Sequence, residues 1–194
     1  GRRIAWCSWR DVNDRAGIWL MELGSRSERL VVTDRFDQTY PSFTPDGKRL
    51  VYSSWRNDTN RDGRIDFHDN TCLLMAEIDS RRETLLVSDQ HNNLFPSLSP
   101  DGHHLLYLSR RRDTNHDGQI DSLDNPALFL LDLAGRRETI LVPDDRYSTF
   151  PSFSPDGRHV LFLSSEPESE REDPGDPAAK PMDGYHSRKG IYRI

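Results

Sequence analysis

Three segments of this chain repeat one another at a fixed interval. YPSFTPDGKRLVYSS (40–54), FPSLSPDGHHLLYLS (95–109) and FPSFSPDGRHVLFLS (150–164) align without a gap, so that Pro41, Pro96 and Pro151 are 55 residues apart. The parts downstream match too, with RRETLLVSD (81–89) returning as RRETILVPD (136–144). The first residues, GRRIAWCSWR, match GKRLVYSSWR (47–56) at an offset of 46. The nine residues of difference fall in an acidic stretch, which the first unit replaces with the short DVNDRAG (11–17). The basic unit is therefore close to the ~40–45 residues of repeats that cannot bury a core alone and must stack on their neighbours.

Each unit reads as four short strands. The first is the apolar segment before the S/T-P-D-G turn, as from Phe95 to Leu98. In that turn Pro presets φ, Asp bonds to the backbone nearby and Gly takes a positive φ. The second strand runs from Leu105 to Ser109, the third is CLLMAEID (72–79) or ALFLLDL (127–133), and the fourth is ETLLVSD (83–89) or its copy. Turn signals every 8–12 residues between such runs indicate an all-β fold. Four strands per repeat indicate propeller blades.

The pattern P-S-[FL]-[ST]-P-D-G-x-x-[LV]-[LV]-[YF]-x-S resembles the TolB-like, WD-related β-propeller repeat, and the resemblance covers nearly the whole chain. It implies one partial propeller over 1–194. Blade 1 (1–39) would lack its first strand. Blade 2 (40–94) and blade 3 (95–149) would be complete. Blade 4 (150–194) would be incomplete, with a Pro- and acid-rich loop at 166–190 and a third strand at GIYRI (190–194). Three and a half blades fall short of the 4–8 of closed propellers. The expectation is a piece of a larger propeller, or one completed by a partner chain.

The acidic stretches RNDTNRDGRIDFHDN (56–70) and RRDTNHDGQIDSLDN (111–125) match the EF-hand spacing D-x-[DN]-x-[DN]-G. In loop 58–69 the ligand positions are Asp58, Asn60, Asp62, the backbone carbonyl of Arg64, Asp66 and Asp69. In loop 113–124 they are Asp113, Asn115, Asp117, the backbone carbonyl of Gln119, Asp121 and Asp124. Ca²⁺ takes 6–8 hard oxygen ligands, and a 12-residue loop with Gly at its sixth position can wrap round it. Two Ca²⁺ sites are expected. Mg²⁺ suits the spacing less, because it prefers a smaller, water-rich shell. The apolar residue at the eighth position, Ile65 or Ile120, is expected to tuck towards the core. Asp rather than Glu at the twelfth position resembles the calcium loops of dockerin modules. Strands flank these loops where an EF-hand has helices, so only the loop and its ligands carry over.

Both loops join second to third strands. They are expected on the same face as the inter-blade links DRFDQTYP (34–41), DQHNNLFP (89–96) and DDRYSTFP (144–151), with the P-D-G turns opposite.

A net charge of −6 argues against a nucleic-acid surface. No run approaches the ~20 apolar residues that cross a bilayer as a helix. Cys7 and Cys72 lack metal or redox spacing and read as core residues. No G-x-S-x-G, H-E-x-x-H or phosphate-binding glycine loop occurs. His103, His104 and His159 read as solvated strand starts, and His91 is the one histidine placed in a link. Trp6, Trp19 and Trp55 read as packing residues. The Arg pairs at 81–82 and 136–137 read as edge protection.

These observations point to a non-enzymatic, calcium-stabilised interaction or scaffold module with a protein partner, in a periplasmic, secreted or cell-surface setting. Two alternatives are a propeller belonging to a larger prolyl-oligopeptidase-like hydrolase and a subunit of a homo-oligomer or filament that pairs through open blade ends.

Overall fold

The P-D-G turns punctuate a chain that folds as antiparallel sheets, one per repeat. The computed structural model describes residues 2–10, 15–165 and 187–193, the last stretch as backbone. All regular structure in them is β. The first sheet holds β1 (Arg3–Ser8), β2 (Gly17–Glu22) and β3 (Glu28–Val32). The second holds β4 (Gln38–Phe43), β5 (Arg49–Trp55), β6 (Thr71–Glu77) and β7 (Glu83–Val87). The third holds β8 (Asn92–Leu98), β9 (His104–Arg110), β10 (Ala127–Asp132) and β11 (Glu138–Val142). The fourth holds β12 (Ser148–Phe153), β13 (His159–Ser165) and β14 (Ser187–Arg193). Within each sheet neighbours in sequence are neighbours in space.

Three apolar cores lie between successive sheets. Ile18, Leu20, Leu50, Tyr52 and Leu74 fill the first. Val51, Leu73, Leu105, Tyr107 and Phe129 fill the second. Leu106, Leu108, Leu128, Val160 and Phe162 fill the third. Leu50 and Val51 thus point to opposite sides of one strand, and both are fully buried. A strand covered on both faces needs an unbroken apolar run rather than an alternating one. That is why RLVYSSW and HLLYLSR read as they do.

The first strands begin earlier than expected. β8 starts at Asn92, and the strand passes through Pro96 instead of starting beside it. The ladder to β9 skips between Leu94 and Ser97, so Phe95 and Pro96 stand out as a bulge. Pro has no N–H to give to a ladder, and a bulge removes the need for one. The same skip occurs between Thr39 and Ser42 and between Thr149 and Ser152. At each bulge the aromatic residue takes a left-handed backbone, with φ of 52° at Tyr40, 53° at Phe95 and 52° at Phe150. Such angles are costly for bulky side chains. They are offset here by ring contacts: Tyr40 lies 3.9 Å from Phe95, and Phe95 lies 4.9 Å from Phe150. β4, β8 and β12 thereby form a contiguous row joined by an aromatic ladder.

The fourth-sheet strand expected at 190–194 starts three residues earlier, at Ser187. Residues 166–186 of the expected acidic loop lie outside the described residues, as do residues 11–14 of the first-unit connection.

Candidate metal loops and the face that carries them

Loop 58–69 leaves β5 and returns into β6, and loop 113–124 does the same between β9 and β10. Their carboxylates organise the backbone. Asp58 accepts the N–H of Asp62 at 3.0 Å on Oδ1 and of Gly63 at 2.8 Å on Oδ2. Asn60 Oδ1 accepts the N–H of Asp62 at 2.9 Å, and Asp62 Oδ1 accepts that of Arg64 at 2.8 Å. Asp66 Oδ1 accepts the N–H of His68 at 2.9 Å. Each is a side chain closing a turn on backbone a few residues ahead. Gly63 and Gly118 carry the sharp bend with φ of 86° and 89°.

The twelfth position is the keystone. Asp69 is 1% exposed. Its Oδ1 accepts the Thr59 N–H at 2.6 Å, the Thr59 hydroxyl at 3.1 Å and the Asn60 N–H at 3.1 Å, and its Oδ2 accepts the Asp66 N–H at 3.0 Å. Asp124 repeats this with Thr114, Asn115 and Asp121 at 2.6 to 3.3 Å. Burial opposes the charge of Asp124, but the N–H groups of Asp121, Thr114 and Asn115 and the Thr114 hydroxyl hold its carboxyl below the usual range. Asp113, Asn115, Asp117 and Gln119 take the same partners as their counterparts in the first loop.

The eighth position does not tuck inwards. Ile120 is 49% exposed, and Ile65 is half-buried. The buried anchor is the acid at position twelve instead, because it meets several inward N–H groups at once. Asp58, Asp62, Asp113 and Asp117 bond to their own loop. Among the described residues no group of three or more His, Cys, Asp or Glu side chains is close enough together to hold a metal ion.

The loops are tied to the scaffold at matching points. The Trp55 indole donates to the carbonyl of Asp69 at 3.1 Å, and Arg110 Nε donates to that of Asp124 at 3.0 Å. Trp55 is thus a tether as well as a packing residue. Asn57 donates to Asp89 at 2.5 Å, and Arg112 pairs with Asp144, Nε to Oδ2 at 2.7 Å. These bonds place both loops beside the links after β7 and β11, the face on which the spacing expects them.

A repeated latch was not read from the sequence. Arg10 pairs with Glu28, Arg56 with Glu83 and Arg111 with Glu138, at 2.9, 3.0 and 2.9 Å. Tyr52 and Tyr107 donate their hydroxyls to the same Glu83 and Glu138. Burial first, then the adjacent glutamate, pushes both phenols far up. Burial works against the Glu138 charge, yet the Arg111 and Tyr107 bonds hold its carboxyl below the ordinary range. The signal that could have found the latch is the recurring Arg after strand two paired with the Glu that opens strand four.

Arg81 and Arg136, expected to protect edges, do so by a specific bond. Arg81 Nη2 reaches the Leu30 carbonyl of β3 at 3.4 Å, and Arg136 Nη2 reaches the Leu86 carbonyl of β7 at 2.6 Å. Cys7 is half-buried and Cys72 buried, and both are free. Burial pushes the Cys72 thiol up to about 11. His91 is half-buried, and burial followed by the nearby Arg111 charge holds its imidazole below the usual range. Among the described residues no helix is long and apolar enough to cross a membrane.

No protein-family model matches the chain, and no curated protein matches it. Its fold has many solved counterparts. TolB from Acinetobacter baumannii superposes with a TM-score of 0.64 at 17% identity, covering 88% of this chain and 36% of that one. A putative TolB from Agrobacterium tumefaciens gives 0.65 at 21% identity, with 87% and 52% covered. An oligogalacturonate lyase in complex with manganese gives 0.58 at 16% identity, with 88% and 44% covered. The chain is thus an all-β protein of TolB-like propeller fold, and it spans about a third to a half of the length of these structures.

Proposed function

We propose that this chain is a TolB-like propeller module that presents its loop face to a protein partner, with one Ca²⁺ in each of loops 58–69 and 113–124. The observation that carries the reading is the duplicated loop. Oxygen donors recur at the same six positions, on the same backbone frame, in two successive sheets. The residues that would hold the ion are Asp58, Asn60, Asp62, the Arg64 carbonyl, Asp66 and Asp69, and their counterparts Asp113, Asn115, Asp117, the Gln119 carbonyl, Asp121 and Asp124. A bound calcium ion would supply the positive charge that these four carboxylates per loop otherwise lack, and would stabilise the folded loop by mass action.

The partner reading is supported by apolar side chains held out at the loop tips. Phe67 is 71% exposed and Leu123 is 72% exposed. A partner that covered them would remove this apolar surface from water. Loops of this class with Kd of ~10⁻⁴–10⁻³ M are filled at extracellular calcium concentrations, which favours a periplasmic, secreted or surface setting.

The test is calorimetric titration of CaCl₂ into the EDTA-treated, dialysed chain. Two ions bind per chain, Asp58→Ala abolishes one, and Asp113→Ala abolishes the other. Absence of binding heat, together with an unfolding midpoint that calcium leaves unchanged, refutes the calcium reading.

A second reading, the propeller of a larger hydrolase, is favoured by a likeness to prolyl endopeptidase structures, with a TM-score of 0.56 at 12% identity. Serine-directed probes applied to the natural full-length polypeptide decide it. Labelling of a residue outside this chain supports the hydrolase.

A further inference from the structure

On the face opposite the loops, the repeat sets up the same junction three times and fills it differently. Arg3, Arg49 and His104 occupy one repeat position. Phe43, Leu98 and Phe153 occupy a second, and Gly47, Gly102 and Gly157 a third. At the first junction the Arg3 guanidinium lies 5.5 Å from the centre of the Phe43 ring and donates to the Gly47 carbonyl at 2.6 Å. The seat is tight: a methyl group on Gly47 would come within 2.9 Å of Arg3 Nη2. At the second junction Leu98 replaces the ring, and Arg49 lies 3.7 Å from Asp46 of its own sheet. At the third junction the ring and glycine return as Phe153 and Gly157, but the position of Arg3 is taken by the shorter His104, and it is Pro100 of the neighbouring turn that packs beside Gly157, its Cδ 3.4 Å from where a methyl group there would sit. A cleft of about 390 Å³ stands there, floored by Leu130 and Phe153.

That cleft has the charge for a cation. Asp101 and Asp156 line it from the two neighbouring P-D-G turns. Asp101 Oδ1 accepts the Ser99 hydroxyl at 2.5 Å and the His103 N–H at 2.9 Å, and Asp156 Oδ1 accepts the Ser154 hydroxyl at 2.6 Å and the Arg158 N–H at 3.0 Å. The second oxygen of Asp101 takes part in no hydrogen bond or ion pair among the described residues. The hydroxyl and N–H bonds hold both carboxyls below the ordinary range, so both are charged at neutral pH.

We propose that the cleft between the third and fourth sheets is a guanidinium-binding site, in which a ligand's guanidinium stacks on Phe153, donates to the Gly157 carbonyl and faces Asp101 and Asp156. Arg3 on Phe43 and Gly47 is the same recognition made within the chain. A planar cation over an aromatic ring, with a carbonyl and carboxylates at its edge, suits guanidinium better than ammonium. The group can arrive free or on an arginine side chain of a partner. This site is independent of the calcium loops.

The experiment is ligand-observed NMR on the intact chain, in EDTA and again in calcium. The probes are N-acetyl-arginine amide, methylguanidinium and N-acetyl-citrulline amide, the last a neutral isostere. Saturable binding of both cations, about tenfold or more tighter than citrulline, is expected in both buffers. A peptide source predicts that the arginine amide outcompetes methylguanidinium, and a small-molecule source predicts that the two bind alike. His104→Arg should fill the cleft from within, as Arg3 does, and abolish binding with the β-sheet circular dichroism unchanged. Asp101→Asn and Asp156→Asn keep the turn-closing oxygen and should weaken binding about tenfold. Equal binding of citrulline, undiminished binding by folded His104→Arg, or no saturable binding of either cation overturns the proposal.

Discussion

Removing the carboxylate of Asp69 tests whether the loop is built around that residue. Asp69→Ala withdraws the acceptor from the N–H groups of Thr59, Asn60 and Asp66. Thr59 and Asp66 are half-buried and Asn60 is exposed, so water can replace the bond to Asn60 but serves the other two poorly. At about 1–3 kcal/mol for each of the two stranded donors, the expected loss is about 2–6 kcal/mol. Asp69→Asn keeps an oxygen for the Thr59 and Asn60 N–H groups but sets its NH2 against the Asp66 N–H, donor against donor, so that one N–H is stranded and about 1–3 kcal/mol is expected. Asp124→Ala should match Asp69→Ala, because the twin network has nearly the same lengths. Urea unfolding in EDTA, followed by circular dichroism at 25 °C, measures all three. Repeating it in calcium shows whether wild type gains a stabilisation that Asp69→Ala lacks. A loss below about 0.5 kcal/mol for Asp69→Ala in EDTA, the size of an ordinary surface change, would refute the keystone role.

Acid should weaken the fold in a definite window. The carboxyls of Asp124 and Glu138 are depressed in the folded state, so the unfolded chain binds more protons below about pH 4. Their stabilisation is complete above the unfolded values and is lost as pH falls through the folded ones. The urea midpoint should already drift down below about pH 6.5, where the unfolded chain protonates the His91 that the fold keeps neutral, and fall further from about pH 5 towards pH 3 as the two carboxyls protonate; a flat or rising midpoint towards pH 3 contradicts the assignment. Gly102→Ala should cost about 1 kcal/mol from its backbone alone, since its φ is +76° and nothing lies within 4 Å of the added methyl. Gly47→Ala should cost more, because it also dislodges Arg3, and equal thermal shifts for the two variants would refute that contact.

The four-sheet plan was legible because Pro, Asp and Gly mark the same turn three times, and the apolar runs between them betray strands covered on both sides. The bulges were not legible. Pro41, Pro96 and Pro151 look like strand boundaries, and the positive φ at Tyr40, Phe95 and Phe150 goes with ring contacts between neighbouring sheets, which the sequence does not display. The donor spacing of the loops could be read directly, but the burial of Asp69 could not, since the same oxygens serve a cation or a cluster of N–H groups. The latch from Arg111 to Glu138 spans 27 residues, whereas that from Arg10 to Glu28 spans 18, so the inserted loop hides their equivalence until the register of the strands is known. Arg3 and His104 share a repeat position in plain view, yet the space left beside the smaller side chain exists only in three dimensions.

The brackets from Arg81 to Leu30 and from Arg136 to Leu86 point the same way, from a later sheet to the outer strand of the one before it. A sheet emerging from a ribosome therefore waits with an unsealed rim until its successor has formed its last hairpin. In both cases the edge of one sheet is capped only when the last hairpin of the next is in place.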